Sequence, residues 1–592
     1  MSHRKAREED VMLRRMFFRL LPVQSMIIAM GSINTIVDGV IAARFIGPAS
    51  VGVIGLYYTM IRILEASGSV LLGGVTVLSG RYLGSGRIDK TRGITSLGLV
   101  LALIISLVLT AASLFAPGQI ADLLGANAQL KDSLSAYVRG YAIGIVPQLL
   151  GQQFANTLQL ERKENLGNLA VAVMVACNVI LDILFVVFWN MGIWGLALST
   201  SLSNWAYFLV VAHYYLKKEA QLKPSMALID WSRTLSLVTI GFPNALLVIC
   251  LAARSLILNR LLLTYSGNDG LSALSSFNLV IGLILALTLG TGALVRMLSS
   301  VFLGEENRES LCSLIRLCLT RVMVLTIGIA AAVIILAPVL AGIFYPDSTS
   351  EVHRLTRQLF TIYAFGIPAA LGCVVISSFF QAARHLVFVN LISVVDGFLS
   401  AVIPALILAP VMGATGVWIA FLIGLFITLA CSILYPVLRL RRLPRSLDEW
   451  MLLPPSFGSG EHLVLRLHNL DDVIMTAERV QAFCDRHNLP RLTGSHTGLC
   501  LEEMAGNIVS HGFHKDKKRH NIEVRVVLLE DSVVLRIKDD CIPFNPQEYH
   551  EMTTSSGDPL SNVGIRLVYK IADEIEYQNL LGLNVLTITL NT

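Results

Sequence analysis

The stretch VAVMVACNVILDILFVVFWNMGIWGLALST, residues 171–200, is apolar enough to lie in a lipid bilayer, yet it contains Asn178 and Asp182. Their spacing of four places both side chains on one face of a helix, one turn apart. A carboxylate at mid-bilayer costs about 2.5–3.5 kcal/mol on insertion scales, so such residues usually mark an ion or proton path. Asp38, in the first apolar run INTIVDGVIAARFIG, is a second acid of this kind. These two acids indicate a transporter.

The composition predicts a polytopic membrane protein. Of the 592 residues, 54% are hydrophobic and only 15% are charged, whereas soluble domains carry about 25% charged residues. The formal net charge of +5 gives no reason to expect a nucleic-acid partner. The nine cysteines form no CxxC pair, and we expect them to be free thiols.

Apolar runs of about 20 residues, the length that spans a bilayer, occur in two sets of six. After about residue 445 a Pro/Gly/Ser-rich linker leads to a soluble domain. The predicted organisation is a cytoplasmic N-terminal segment (1–15), a first six-helix half (16–217), a cytoplasmic linker (218–233), a second half (234–440), a linker (441–460) and the soluble domain (461–592).

The two halves are repeats of each other at an offset of about 220–222 residues. LSGRYLG (78–84) aligns with LSSVFLG (298–304), and Gln159 aligns with Gln381. Two six-helix halves with a substrate site between them are a common transporter plan. Lys and Arg concentrate in alternate loops, which predicts that both termini are cytoplasmic.

The order of these motifs resembles the multidrug and toxin extrusion (MATE) family over residues 12–440. The motifs are Pro22, then VDGVIAARFIGPASVGVIGL (37–56), then Asn178 and Asp182, then GIWGLALST (192–200). The resemblance implies an all-α domain of twelve transmembrane helices in a bacterial inner membrane. It also implies that a proton or sodium ion binds in the first half, at the positions of Asp38, Asn178, Asp182 and Thr200, with a weaker match at Gln152.

The chemistry of these residues suits either ion. Two carboxylates in one low-dielectric cavity repel each other, so one of them should keep a proton near neutral pH. Alternatively, carboxylate, amide and hydroxyl oxygens could together hold a desolvated Na⁺. A structural hydrogen-bonded cluster without a transport role is the other interpretation. Asp396, in the second half, has an apolar counterpart in the first and is a weaker candidate.

The soluble domain is predicted to be an α+β sandwich with helices on one face of a sheet. Strand patterns occur at HLVLRLHNL, at NIEVRVVLLEDSVVLRIKDD with a turn at Glu530-Asp531, and at LNVLTITL. Helical patterns occur at DDVIMTAERVQAFCDRHNL, at GLCLEEMAGNIVSHGF and at VGIRLVYKIADEIEYQ (563–578).

Three ordered boxes in this domain resemble the histidine-kinase-like ATPase fold, in particular the anti-sigma-factor serine kinase group. They are LEEMAGNIVSHGF (501–513), RIKDDCIPFNP (536–546) and NVGIRLVYKIADEIEY (562–577). The resemblance implies that Asn507 holds Mg²⁺, Glu503 is the catalytic base, Asp539 reads the adenine amino group of ATP, and Gly564 begins the helix on the phosphate side.

The boxes depart from the family at glycine positions. Cys541 and Pro543 replace glycines after the aspartate, and Ser561 or Asn562 replaces the leading glycine of the last box. Because glycine lets the backbone approach phosphate closely, we expect weak ATP binding, and a degenerate scaffold kept for protein contacts is the alternative. A metal site at His511 and His514 lacks a supporting ligand cluster.

The leading functional hypothesis is a secondary exporter of organic, often cationic or amphipathic compounds that is driven by H⁺ or Na⁺, with a nucleotide-binding tail that regulates it or signals from it. The alternatives are a flippase of lipid-linked intermediates and a membrane receptor that signals through serine phosphorylation. The expected partners are a small organic substrate, membrane lipid and a cytosolic regulatory protein. An ATP-driven pump is not expected, because the chain has no GxxxxGK[ST] motif.

Overall fold

The computed structural model describes residues 2–124, 130–161, 163–217, 220–455, 457, 462–513, 520–528, 532–547, 549, 563–580 and 583–591. The chain forms two compact units. The membrane unit comprises Phe17–Gln159 and Lys163–Leu452, and the tail unit comprises Met1–Met16, Leu160–Arg162 and Leu453–Thr592. The start of the first helix thus groups with the soluble domain.

Helices occupy all six predicted spans of the first half. Their bounds are α1 Ser2–Ile41, α2 Pro48–Gly84, α3 Ile88–Phe115, the short α4 Pro117–Leu123, α5 Lys131–Leu160, α6 Glu164–Asp182 and α7 Gly192–Tyr214. Residues 2–15 of the predicted N-terminal segment, 1–15, form the helical beginning of α1.

The second half also has helices at its six predicted spans, several of them broken. The bounds are α8 Thr234–Ile284, α9 Ala286–Gly304, α10 Arg308–Leu317, α11 Met323–Phe344, α12 Glu351–Ala364, α13 Ile367–Ala382, α14 Leu386–Val394, α15 Ser400–Met412 and α16 Ala414–Leu440. Gly267, with φ +63°, breaks α8 between the seventh and eighth spans. The predicted linker contains a short helix, α17 Leu447–Trp450.

Length and apolar composition support a multi-pass membrane protein. Nine helices among the described residues are long and apolar enough to cross a membrane, and the number becomes ten if α12 and α13, which meet at a 50° bend, form one span. α1 and α5 fill the two remaining predicted positions.

Short π-helical segments interrupt the regular helices of both units. In the described chain they are Ala42–Ile46, Ile183–Phe188, Cys318–Val322, Val395–Leu399 and Ile508–Gly512. Such segments occur frequently at functional sites. Ile183–Phe188 directly follows Asp182, and Val395–Leu399 contains Asp396.

The backbones of the two halves of the membrane unit are in close contact at glycine positions along α2. A Cβ added to Gly74 would lie 2.1 Å from the carbonyl oxygen of Leu237 on α8. At the end of the same helix, a Cβ on Gly84 would lie 2.0 Å from the carbonyl oxygen of Val301 on α9. Only glycine permits this approach, so these positions bring the halves together along one edge of α2.

The tail unit contains a five-stranded antiparallel sheet in the order β1-β2-β3-β5-β4. The strands are β1 His462–Leu467, β2 Ile522–Leu528, β3 Ser532–Asp539, β4 Glu574–Leu580 and β5 Leu583–Asn591. The helices are α18 Leu470–Arg486, α19 Arg491–Asn507 and α20 Val563–Ile571. One apolar core joins the helices to the sheet through residues such as Val480, Leu501 and Leu535, which confirms the predicted α+β architecture.

The predicted third helix of the tail, 563–578, is too long. The helix ends at Ile571, and the segment EIEYQNL forms β4, which pairs with β5 from Glu574↔Thr589 to Leu580↔Leu583. The residues of this segment fit both a strand-like alternation and a helical pattern. Its pairing with β5 makes it a strand. The predicted turn at Glu530-Asp531 lies outside the described residues.

Candidate functional site

Three helices of the first half bring together the four residues predicted to bind the ion. Asp38 lies on α1, Asn178 and Asp182 lie on α6, and Thr200 lies on α7. Asn178 and Asp182 are fully buried, and Asp38 is partly buried. The surrounding core includes apolar residues of α1, α2, α5 and α7, so the acids lie in a low-dielectric environment.

Hydrogen bonds connect these four residues into one cluster, the acid cluster. Thr200 Oγ1 donates to Asp38 Oδ2 at 3.4 Å, and Asn178 Nδ2 donates to Thr200 Oγ1 at 3.5 Å. The carboxyl groups of Asp38 and Asp182 lie within hydrogen-bonding reach of each other. Because two ionised carboxylates repel strongly at such a distance, the arrangement favours a proton or a cation between them.

Several oxygen atoms of the acid cluster are buried without a hydrogen-bond partner among the described residues. They are Asp38 Oδ1, Asn178 Oδ1 and Asp182 Oδ2. A buried acceptor that lacks a partner costs about 1–3 kcal/mol, and more when it is charged. Na⁺ is a hard cation that binds oxygen ligands, and a proton binds a carboxylate directly. These oxygens are therefore free to take either ion.

The structure adds residues that the sequence analysis did not identify. Ser199 Oγ donates to Asp182 Oδ1, and Asn34, one turn before Asp38 on α1, has a buried and unpartnered Oδ1. The spacing of four residues between Asn34 and Asp38 predicts that they share one face of α1, so the sequence could have indicated Asn34. The position of Ser199 next to Thr200 is a weaker indication.

Three buried tyrosines pack against one another, and Tyr137 among them lies near the acid cluster. The ring of Tyr57 lies 4.9 Å from that of Tyr137 and 5.0 Å from that of Tyr141, between ring centroids. Tyr137 is close enough to Asp38 and Asp182 to interact with both electrostatically. No local sequence pattern indicates this contact, because Tyr57 and Tyr137 come from different helices.

The two weaker candidates lie apart from the acid cluster. No hydrogen bond among the described residues joins Gln152 to the four cluster residues; its Oε1 instead faces Gly68 of α2. Asp396 lies in the second half, where its backbone carbonyl accepts a hydrogen bond from Arg254 Nη1 at 3.3 Å.

In the tail, Asp539 lies at the end of β3 and is only 4% exposed. Its Oδ1 accepts hydrogen bonds from the backbone N–H of Cys541 at 2.9 Å and from Asn584 Nδ2 at 2.7 Å. Burial raises the pKa of Asp539 above its ordinary value, and these hydrogen bonds oppose the rise. A fixed, buried carboxylate of this kind can accept a hydrogen bond from an exocyclic amine.

The three predicted boxes of the tail converge. A Cβ added to Gly564, at the start of α20, would lie 1.8 Å from Glu503 Oε2 on α19, so the glycine leaves room for this carboxylate to lie against the start of the helix. A Cβ on Gly512 would lie 3.2 Å from Cys541 Sγ, next to Asp539. The first box, LEEMAGNIVSHGF (501–513), therefore contacts both other boxes.

Asn507 is the last residue of α19, and the π-helical segment Ile508–Gly512 follows it directly.

His511 is exposed, whereas His514, Ser561 and Asn562 lie outside the described residues. A different group, His520, Asp540 and Cys541, places three potential metal-ligating atoms within 4.8 Å of one another. His520 Nδ1 lies 3.1 Å from Asp540 Oδ1, which a simple hydrogen bond explains.

Comparison with known families matches both parts of the chain. The MatE family model matches residues 25–188 and 243–407, which together are more than half of the chain. The model of the histidine kinase-like ATPase domain matches residues 468–590. The two MatE segments correspond to the two predicted halves.

Among curated proteins, the chain is similar to the multidrug export protein MepA of Staphylococcus saprophyticus, with 28% identity over 42% of this chain and 57% of the relative. It is also similar to MepA of Staphylococcus aureus (strain NCTC 8325 / PS 47), with 24% identity over 44% of this chain and 60% of the relative. The chain thus matches little more than half the length of these relatives.

Among solved structures, a MATE transporter in complex with MaL6 matches with a TM-score of 0.67 and 20% identity, over 72% of this chain and 96% of the other. An outward-facing multidrug resistance MATE transporter matches with a TM-score of 0.68 and 19% identity, over 72% and 96% of the two chains. These likenesses establish the fold.

Proposed function

This chain belongs to the MatE family, carries a histidine kinase-like ATPase domain in its tail, and we propose that it is a cation-coupled secondary exporter. Its substrates would be small organic or amphipathic compounds, which agrees with the name of the MepA relatives, multidrug export proteins. Membrane lipid surrounds the transporter, and the tail would regulate it together with a cytosolic partner protein.

The observation that carries this proposal is the acid cluster with its buried, unpartnered oxygens on Asp38, Asn178 and Asp182. One H⁺ or Na⁺ that moves down about 150 mV yields roughly 3.5 kcal/mol, at 2.3 kcal/mol per 100 mV. That energy supports a substrate gradient of several hundred-fold, at about 1.4 kcal/mol per decade. A single ion site is therefore sufficient for efflux.

The acid cluster favours export over lipid-intermediate flipping, because two adjacent acids at an ion-binding position imply coupling to an ion gradient. We propose a location in a bacterial inner membrane with both termini in the cytoplasm, since Lys and Arg concentrate in the corresponding loops.

For the tail, we propose weak binding of ATP–Mg²⁺, with Asp539 accepting from the adenine amine and Asn507 holding the metal. Glu503, which lies against Gly564, would act as the base in a slow phosphorylation of a partner serine. This serine-kinase activity, with receptor signalling as its output, is the second candidate function, and the retained Glu503, Asn507 and Asp539 support it.

The test is transport by the purified full chain in proteoliposomes, with fluorescent organic cations, zwitterions and anions as probes. Imposed proton and sodium gradients are applied separately, each with and without Mg–ATP on the side of the tail. We expect one of the two gradients to drive uptake without ATP. Transport that requires ATP hydrolysis, or that ignores both gradients, would overturn secondary coupling.

A further inference from the structure

The second half of the membrane unit contains a charge that the acid cluster does not account for. Arg296 lies on α9, eight residues before its last residue, Gly304, which is about 12 Å along the helix at 1.5 Å per residue. A charged side chain within a membrane span normally pairs with an opposite charge or serves a function.

Neutral amide groups are the only hydrogen-bond partners of Arg296 in the described chain. Its Nη1 donates to Gln381 Oε1 at 3.0 Å and to Asn244 Oδ1 at 3.3 Å. Its Nε is buried and has no partner, and no described Asp or Glu lies within 4.0 Å of the guanidinium. By contrast, Arg62 and Arg308 each pair with a carboxylate, at 2.6 and 2.9 Å.

The amides that hold Arg296 are themselves fixed. Gln381 Nε2 donates to the carbonyl oxygen of Ile240 at 3.0 Å, and Asn244 Nδ2 donates to the carbonyl oxygen of Ser69 at 3.2 Å. The second bond crosses from the second half to α2 of the first. The guanidinium is therefore oriented, partly buried and next to the contact between the halves. Both of its described hydrogen bonds use Nη1, so Nε and Nη2 remain for another ligand.

We propose that Arg296, held by Asn244 and Gln381, binds the anionic group of an amphipathic ligand, a phosphate or a carboxylate. This inference rests on the proposed export function and narrows its substrates to compounds with such a group. A guanidinium recognises carboxylate and phosphate through two parallel N–H···O bonds, and its Nε–H and Nη2–H form that pair. Either a soluble organic anion or a lipid headgroup could carry the group.

The test measures binding rather than transport, so that its failure is distinguishable from failure of the proposed ion coupling. The full chain in nanodiscs of zwitterionic lipid is titrated with 1-naphthyl phosphate and with 1-naphthylmethylamine, which share the ring system and differ in charge. Binding is measured for the parent protein, Arg296→Gln, Arg296→Lys and the control Arg260→Gln, which removes an exposed arginine of α8.

We expect Arg296→Gln to weaken 1-naphthyl phosphate binding by about 10- to 100-fold, since a charge-assisted pair of bonds is lost. Arg296→Lys should retain part of the affinity, Arg260→Gln should remain within about twofold of the parent, and binding of the amine should not fall. Equal affinity of the parent and Arg296→Gln for the phosphate, or no binding by the parent at millimolar concentration, would overturn the proposal.

Two further measurements separate a ligand site from a structural role and identify the source of the anion. In thermal unfolding without ligand, Arg296→Gln should be as stable as the parent, since an uncompensated charge is removed. A marked destabilisation with unchanged affinity for the phosphate would mean that Arg296 has a structural role instead. Phosphatidic acid is then added to the nanodiscs. If it competes with 1-naphthyl phosphate in the parent protein but not in Arg296→Gln, the anion is a lipid headgroup; if it does not compete in the parent, the anion is a soluble compound.

Discussion

The acid cluster of the membrane unit and Asp539 of the tail both bury carboxylates, but their oxygens have different partners. In the acid cluster, Asp38 Oδ1 and Asp182 Oδ2 are buried without a described partner. In the tail, Asp539 Oδ1 accepts two hydrogen bonds from Cys541 and Asn584. The comparison teaches that an incompletely bonded acid can exchange an ion, whereas an acid whose Oδ1 is fixed by two hydrogen bonds presents an oriented carboxylate to a ligand.

The largest expected effect tests the exchanging site. Asp182→Asn and Asp38→Asn should each reduce gradient-driven efflux by about 100-fold or more, because the loss of ion coupling removes roughly 3.5 kcal/mol of driving force. Efflux in proteoliposomes is the measurement, with size-exclusion profiles to check that the variants are folded.

Asp396→Asn is the matched control for these two variants, since Asp396 is an acid of the second half that lies beside Arg254. Its efflux should fall much less. Normal efflux by Asp38→Asn or Asp182→Asn would remove that residue from the coupling site, and equal loss in all three variants would end the distinction between the halves.

The next effect tests the fixed acceptor. Asp539→Ala should weaken ATP binding to the full chain by about 10- to 100-fold, because a hydrogen bond to a charged group is worth about 1.5–3 kcal/mol. Ion-driven efflux should change by less than about threefold. Equilibrium dialysis with labelled ATP measures the first quantity, and proteoliposome flux measures the second.

The control for Asp539→Ala is Asp540→Asn, whose carboxylate bonds to the backbone N–H of Asn521 and to His520 instead. It should bind ATP nearly as well as the parent. If ATP binding is absent from the parent at millimolar concentration, the tail is a degenerate scaffold.

A smaller effect concerns the hydroxyl of the acid cluster. Thr200→Val should weaken the ion dependence of transport by about fivefold to tenfold, since one neutral hydrogen bond contributes near 1 kcal/mol. Ser203→Ala is the control, because the one hydrogen bond of the Ser203 hydroxyl among the described residues goes to the backbone of its own helix, at Thr200 O. An unchanged ion concentration dependence in Thr200→Val would exclude Thr200 from the site.

The smallest effect is on stability. Burial raises the pKa of Asp539, so the folded state binds its proton more tightly than the unfolded chain, and stability falls as the pH rises through the folded pKa. Asp539→Asn should therefore raise the unfolding temperature of the tail by a few degrees at pH 8, with a smaller difference at pH 5. Calorimetry measures this, and a difference that grows toward low pH would contradict the sign of the shift.

Much of the fold follows from the sequence, because long apolar runs and an internal repeat are local patterns. The spacing of Asn178 and Asp182 likewise predicts a shared helix face, and the family resemblance adds Thr200. The tail shows the limit of local patterns, since Glu574–Leu580 alternates within a helical pattern and only its pairing with β5 makes it a strand.

The remaining parts of the sites depend on contacts between residues far apart in the chain. Helix packing brings Ser199 and Tyr137 close to the acids, and Arg296 donates a hydrogen bond to Gln381, which lies 85 residues further along the chain. The lone arginine in the apolar run ALVRMLSSVF was visible in the sequence, but the absence of a neighbouring carboxylate was not. Tertiary packing decides which buried polar groups have partners.

The π-helical segments have a consequence for how this protein could change during evolution. Each residue of an α-helix turns the chain by about 100°, so one inserted residue rotates the two sides of a helix relative to each other. Ile183–Phe188 follows Asp182 directly, and it absorbs such an insertion within one wide turn. The direction in which Asp182 faces and the length of the chain that follows it can therefore vary separately, so that a change in one need not disturb the other.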